Sequence, residues 1–172
     1  MAYVMVDVES DGPIPGDYSM VSFGAIVVDD KLDKTFIGKL KPISDKYIPE
    51  TLSVSGFTRK ETLHFEDPKI VMEKFTEWLK TSVPGKPVFI SDNNGFDWMF
   101  ICWYFYHFTG ANPFGQGSYN LGSVYKGMMK DFTENFMHLR KTKHTGNPLD
   151  EARDNTEVLL AMKNEHGLRI KF

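Results

Sequence analysis

MAYVMVDVES, residues 1–10, is the stretch on which the reading of the fold turns. Met1 to Val8 is apolar almost without a break and rich in Val, the pattern of a strand buried on both faces. Two acids interrupt it at its end. The period of a strand puts Asp7 and Glu9 on the same face, about 7 Å apart. Like charges on the inner face of a central strand are costly unless neutralised, so a bound metal is the simplest compensation. The other reading is a pair of solvated acids at a strand end. Asp11-Gly12 extends the run to D-x-E-x-D-G, which opens like a calcium-binding EF-hand loop. That reading fails, because a strand precedes the run and the twelfth loop position is Tyr18 rather than Glu.

Outward from this strand, Met20 to Val28 reads as a second strand, Asp29 to Asp33 as a turn and Thr35 to Leu40 as a third strand, an antiparallel meander. Ser55 to Leu63 and Asp67 to Lys80 read as helices, the second with Pro68 in its first turn and Ile70, Val71, Phe75, Trp78 and Leu79 at helical spacing. Pro87 to Ile90 is a short apolar strand, and Phe96 to Phe108 an aromatic helix ending at Gly110. A loop from Gly110 to Gly122, a short helix over Ser123 to Met129 and an irregular basic stretch through Lys143 lead to a last helix. That helix runs from Pro148 to about Glu165, with Val158, Leu159 and Met162 inward. The 172 residues form one domain, without internal repeat or linker. The element order predicts an α/β fold, a mixed sheet with helices on its faces.

With 41% hydrophobic and 25% charged residues, the composition is that of a globular protein. A formal net charge of −3 argues against wrapping long duplex DNA with Lys and Arg, but is compatible with holding nucleic acid through metal ions. The single cysteine, Cys102, points to a reducing compartment, so a cytoplasmic location is expected. No stretch has the form of an export signal or a membrane span, and no membrane role is expected. The aromatic run Trp103 to Phe108 suits either the core or a subunit interface.

Two further stretches carry chemistry. In SDNNGFDW, residues 91–98, Asp97 falls at a helix start, where it either caps the helix or faces the end of the first strand to complete a metal shell with Asp7. Asp92 reads as a turn residue. In HTGNPLDEARD, residues 144–154, His144 precedes an acidic helix start. A histidine there can act as general base, or stand as a loop residue beside Arg140, Lys141 and Lys143. Asp150 and Glu151 are metal ligands or ordinary first-turn acids.

Taken in order, an acid pair on the first strand, an Asp after a later strand, and His plus acids before the last helix resemble the DEDD superfamily of 3'-to-5' exonucleases in its histidine-containing branch. The resemblance covers essentially the whole chain, and Asn93-Asn94-Gly95-Phe96-Asp97 is its most specific part. SDNNGFDW, the NPFG loop and HLRKTKHT look like the small exoribonuclease-like group of bacteria and phages. The resemblance implies a ribonuclease-H-like fold with a mixed five-stranded sheet whose first three strands are antiparallel. It also implies two divalent cations, Mg²⁺ or Mn²⁺, and release of nucleoside 5'-monophosphates from a single-stranded 3' end, with RNA favoured over DNA. Asp7, Glu9 and Asp97 match the metal ligands.

The last family motif, His then four residues then Asp, departs here. Aligned on the final helix it puts Glu151 in the Asp place and Gly146 in the His place, leaving Asp150 and His144 as the nearest substitutes. The expected catalytic set is therefore His144, Asp7, Glu9, Asp97, Asp150 and Glu151. Arg59, Lys60, Arg140 and Lys143 are candidates for phosphates, and Phe23, Phe96 and Trp98 for stacking on the terminal base. Relatives are often homodimers. The competing expectations are a binding module that has lost its chemistry through Gly146 and Glu151, and an endonuclease on the same scaffold.

Overall fold

Five strands form one sheet in the order β3-β2-β1-β4-β5 in the computed structural model, which describes residues 1–141 and 145–171. They are β1 (Ala2–Ser10), β2 (Met20–Val27), β3 (Thr35–Lys39), β4 (Pro87–Ser91) and β5 (Ser118–Asn120). The first three are antiparallel, and β4 and β5 join in parallel. The central place of β1 explains its unbroken apolar character. Val4, Val6 and Val8 pack on one face with Phe23, Ala25 and Phe89, and Met5 on the other with Ile26 and Ile90.

Helices α3 (Pro68–Ser82) and α4 (Asn94–Thr109) cover the first face. The second is covered by α5 (Leu121–Met129) and α6 (Pro148–His166). Local chemistry fixes their starts. Asp67 accepts from the N–H groups of Lys69 and Ile70 ahead of α3, and Asn147 accepts from that of Leu149 ahead of α6. Both helices carry Pro in the first turn, where no N–H is lost to the helix.

Three expectations change. Of the helix expected over Ser55 to Leu63 only α2 (Arg59–Thr62) forms, and a separate short helix, α1 (Pro49–Val54), precedes it. They part where Gly56 takes φ +74, which a side chain resists. The loop before α5 contains β5, whose three polar residues have no apolar pattern to announce them. Phe23 is not available to a base: it is wholly buried, 4.8 Å from the ring of Phe75 and 5.6 Å from that of Phe36. Within the aromatic helix, Tyr104 and Phe105 are also wholly buried, and the Tyr104 hydroxyl accepts from the N–H of Met20 at 2.8 Å. The core thus accounts for most of that run. No helix among the described residues is long and apolar enough to cross a membrane.

One glycine positions everything that follows. Gly24 on β2 pairs with Asp7 on β1, and the first turn of α6 rests directly on it. A Cβ at that position would lie 2.4 to 2.5 Å from backbone atoms of Pro148 and Leu149. Close approach of helix to sheet at this point is what carries Glu151 over to Asp7. Because backbone, not a flexible side chain, fills the space, Gly24→Ala is expected to cost about 1–3 kcal/mol as α6 is pushed off the sheet. A urea midpoint equal to that of the wild type would contradict this contact.

Candidate active site

The carboxyl ends of parallel β1 and β4 lie side by side, the place where open α/β sheets bind ligands. Register pairing between them stops at Met5 and Ile90, so β1 runs on past its neighbour. The chain after β4 fills the gap. Asp97, in the first turn of α4, takes the N–H of Val8 on its Oδ1 at 3.2 Å. A carboxylate thereby does what the missing strand would have done, and it is fixed beside Asp7 and Glu9. From the other side Gly24 admits α6, whose first turn carries Glu151. The result is a cleft of about 310 Å³ lined by Asp7, Glu9, Asp92, Asp97 and Glu151, with Phe96, Arg140 and the α1 residues Thr51 and Val54 as walls.

Asp97 is only 1% exposed and its Oδ2 has no hydrogen-bond partner among the described residues. Burial pushes its carboxyl up to about 8 against the pull of the Ser91 hydroxyl and the Val8 N–H, with Asp92 and Glu9 adding to the rise. Asp7 is likewise held well above the ordinary carboxylate range, by burial first and then by Asp97, Glu9, Glu151 and Asp92. Burial also raises Asp92, against the pull of the Arg140 guanidinium. Asp7, Asp92 and Asp97 are thus all raised in one desolvated space, where burial and neighbouring carboxylates disfavour their charged forms.

Among the described residues Arg140 is the one cation lining this cleft. Its Nη2 donates to Asp92 Oδ2 at 2.9 Å and to Asn155 Oδ1 at 2.7 Å. Its Nη1 lies 3.5 Å from Glu151 Oε2, and its Nε 3.8 Å from Asp154 Oδ2. Glu151 is oriented a second time, by the N–H of Thr145 on its Oε1 at 2.6 Å. One planar guanidinium therefore ties the chain after β4 to the first two turns of α6.

Over 130 residues, 73% of this chain and 68% of its relative, the sequence is 43% identical to the 3'-5' DNA exonuclease Cap18 of Escherichia coli. The chain belongs to the DEDD superfamily of 3'-to-5' exonucleases. Its fold is that of solved members of the superfamily. The nuclease domain of 3'hExo, a DEDDh family member bound to rAMP, superposes with a TM-score of 0.78 at 16% identity, covering 99% of this chain and 96% of that one. Exonuclease I of E. coli in complex with a dT13 oligonucleotide gives 0.76 at 18% identity over 96% of this chain and 42% of its own. No family model matches the sequence.

Of the residues singled out in this exonuclease from sequence, Asp7, Glu9, Asp97, Glu151, Phe96 and Arg140 line one cleft. Asp150 does not. It is exposed and faces a separate surface hollow with Arg153 and Glu157, because the helical turn between consecutive residues sends Asp150 and Glu151 in different directions. Trp98 turns from the cleft to pack edge-on against Phe89, 5.1 Å between ring centres. Arg59 is spent on structure: Nη1 binds Asp11 Oδ2 at 2.7 Å, Nη2 donates to the Ser44 carbonyl, and the guanidinium lies over Tyr47. Lys60 is exposed outside the cleft. Lys143 and His144 lie outside the described residues. Gly146, in the His place of the motif, has φ +71, and a Cβ there would come 2.3 Å from the carbonyl oxygen of Val54. No histidine fits at that position. Asp92 was missed as a cleft acid because turn acids are common; its neighbourhood in SDNNGFDW was the available signal.

The donor set suits hard divalent cations, since every acidic ligand offered is a carboxylate oxygen. The bare Oδ2 of Asp97 and the crowding of acids around Asp7 are both relieved by a positive charge in the cleft. Among the described residues no three such side chains stand close enough to ligate one ion as they are. A cation would have to draw them inward.

Proposed function

We propose that this chain removes nucleotides one at a time from the 3' end of single-stranded DNA, releasing nucleoside 5'-monophosphates. Two divalent cations, Mg²⁺ or Mn²⁺, are held by Asp7, Glu9, Asp97 and Glu151 in this reading. A single observation carries it: carboxylates from three segments far apart in sequence meet in one cleft at the carboxyl ends of β1 and β4. Bound there, the ions supply an activated water and positive charge for the leaving 3' oxygen.

The chain itself supplies placement. Val8 N–H orients Asp97, and Thr145 N–H with Arg140 orients Glu151. Phe96, half-buried against Phe100 in the cleft wall, offers a ring face to the terminal base. His144 is the proposed proton acceptor, two residues before the glycine that cannot carry it. RNA was the expected substrate from the sequence resemblance. DNA is favoured here because the relative that shares 43% identity is a DNA exonuclease, whereas 3'hExo, bound to rAMP, shares 16%.

The closed space at Gly146 favours one rival, a binding module of the same fold without turnover. Incubating 5'-labelled single-stranded DNA and RNA of the same sequence with Mn²⁺ or with EDTA separates them. A ladder shortening from the 3' end, faster on DNA and absent in EDTA, is expected. Binding without release of mononucleotides would establish the rival, and cutting of circular strands would establish an endonuclease.

A further inference from the structure

Beside the cleft lies a second cavity, of about 210 Å³, on the same face of the sheet. Glu9, Ser22 and Lys39 pair in register across β1, β2 and β3, so the three stand in a row. With neighbouring strands about 4.8 Å apart, the Lys39 backbone lies about 10 Å from that of Glu9. The row begins in the acidic cleft and ends in the second cavity, whose remaining walls include Ser55 and Phe57 after α1 and Asn147 ahead of α6. The seam between the two is the contact of Gly146 with Val54, too close for any side chain on the glycine.

Two observations point to an anion as its occupant. Ser22 is wholly buried in the cavity wall, and its Oγ has no hydrogen-bond partner among the described residues. A buried hydroxyl left in that state costs free energy unless a ligand meets it. Lys39 is exposed, with its Nζ over the rings of Phe57 and Phe65 at 4.9 and 5.8 Å. Its charge is felt by Glu61, yet it makes no ion pair among the described residues. The positive end of α6 adds to the same potential.

Resting on the exonuclease reading, we infer that this cavity takes a backbone phosphate of the substrate strand upstream of the scissile bond, with Lys39 as its counter-charge and Ser22 Oγ as its hydrogen-bond donor. The acidic cleft repels phosphate except where cations stand, so a basic subsite next to it holds the strand while its end is cut. The enzyme then favours strands long enough to cross the seam over a dinucleotide.

The test measures binding of fluorescent single-stranded oligonucleotides, a dinucleotide and one of about ten nucleotides, in EDTA and over a range of salt. For Lys39→Gln the advantage of the long strand over the short one falls about tenfold, and the slope of log affinity against log salt shrinks by about one. Ser22→Ala, which adds no bulk, lowers the same advantage by about threefold or more. Both variants keeping the wild-type ratio and slope would overturn the site, as would an equal loss on both lengths. Release of mononucleotides by the wild type with Mn²⁺ is read in parallel. A Lys39-dependent preference for the long strand without such release would sink the exonuclease reading and leave the phosphate site in place.

Discussion

Asp7→Asn should lose more than about a hundredfold in turnover, since even groups that merely orient a metal ligand are worth ten- to a hundredfold, and should at the same time melt higher than the wild type in EDTA. The two effects share a cause. Asp7 ionises against burial and against Asp97, Glu9, Glu151 and Asp92, so its charge is useful only when a cation compensates it. The same logic fixes a pH dependence. Asp97, with an ordinary value of 3.8, is raised to about 8 in the fold. A carboxyl raised in the folded state contributes stability that is complete below the unfolded value and is lost as pH rises through the folded one. In EDTA the wild type should therefore melt lower at about pH 8.5 than at about pH 6, and Asp7→Asn should show a shallower fall. Divalent cations bind the deprotonated ligands, so the rise in melting temperature that Mn²⁺ produces grows over the same interval. Melting curves with and without Mn²⁺ at the two pH values are the measurement. A metal-free wild type whose stability is flat with pH would mean that these acids do not crowd one another.

What could be read from sequence divides along physical lines. The central strand was legible because burial on both faces leaves an unbroken apolar run, and acids at the end of such a run are conspicuous. Asp97 was legible through its place at the start of a helix after a strand. Choosing between Asp150 and Glu151 required the phase of α6 against the sheet, which Gly24 sets from more than a hundred residues away. Nothing in the local sequence encodes that contact. Phe23 was misjudged because an aromatic near acids reads equally as a stacking platform or as core, and only the packing of Phe36 and Phe75 decides it. The three residues of β5 were invisible for a similar reason. Its pairing partner β4 and the Asn94 side chain, which donates to the Tyr119 carbonyl and accepts from Ser118 Oγ, hold a segment with no strand propensity pattern of its own.

Arg140 is the residue whose role differs most between sequence and structure, and replacing it is expected to cost both stability and turnover. From sequence it is a basic side chain near the acids, expected to meet a phosphate. In the fold it is 12% exposed and spread over Asp92, Glu151, Asp154 and Asn155. Removing it takes a counter-charge away from Asp92, Glu151 and Asp154, the last two nearly buried, and removing one partner of a buried ionic cluster costs about 3–5 kcal/mol. Arg140→Ala is therefore expected to unfold at markedly lower urea and to lose turnover with it, because Glu151 is no longer held over Asp7. Arg140→Lys restores charge but not the planar fork that reaches four side chains, so it recovers part of the stability only. Pairing Arg140→Met with Asp154→Asn removes charge on both sides and should recover more than either change alone predicts, a coupling that a double-mutant cycle measures. A guanidinium that served the substrate would behave otherwise: Arg140→Ala would then keep the wild-type urea midpoint, raise KM and flatten its salt dependence. Unfolding curves beside KM values thus decide whether this arginine grips the nucleic acid or holds the acids of the cleft in place.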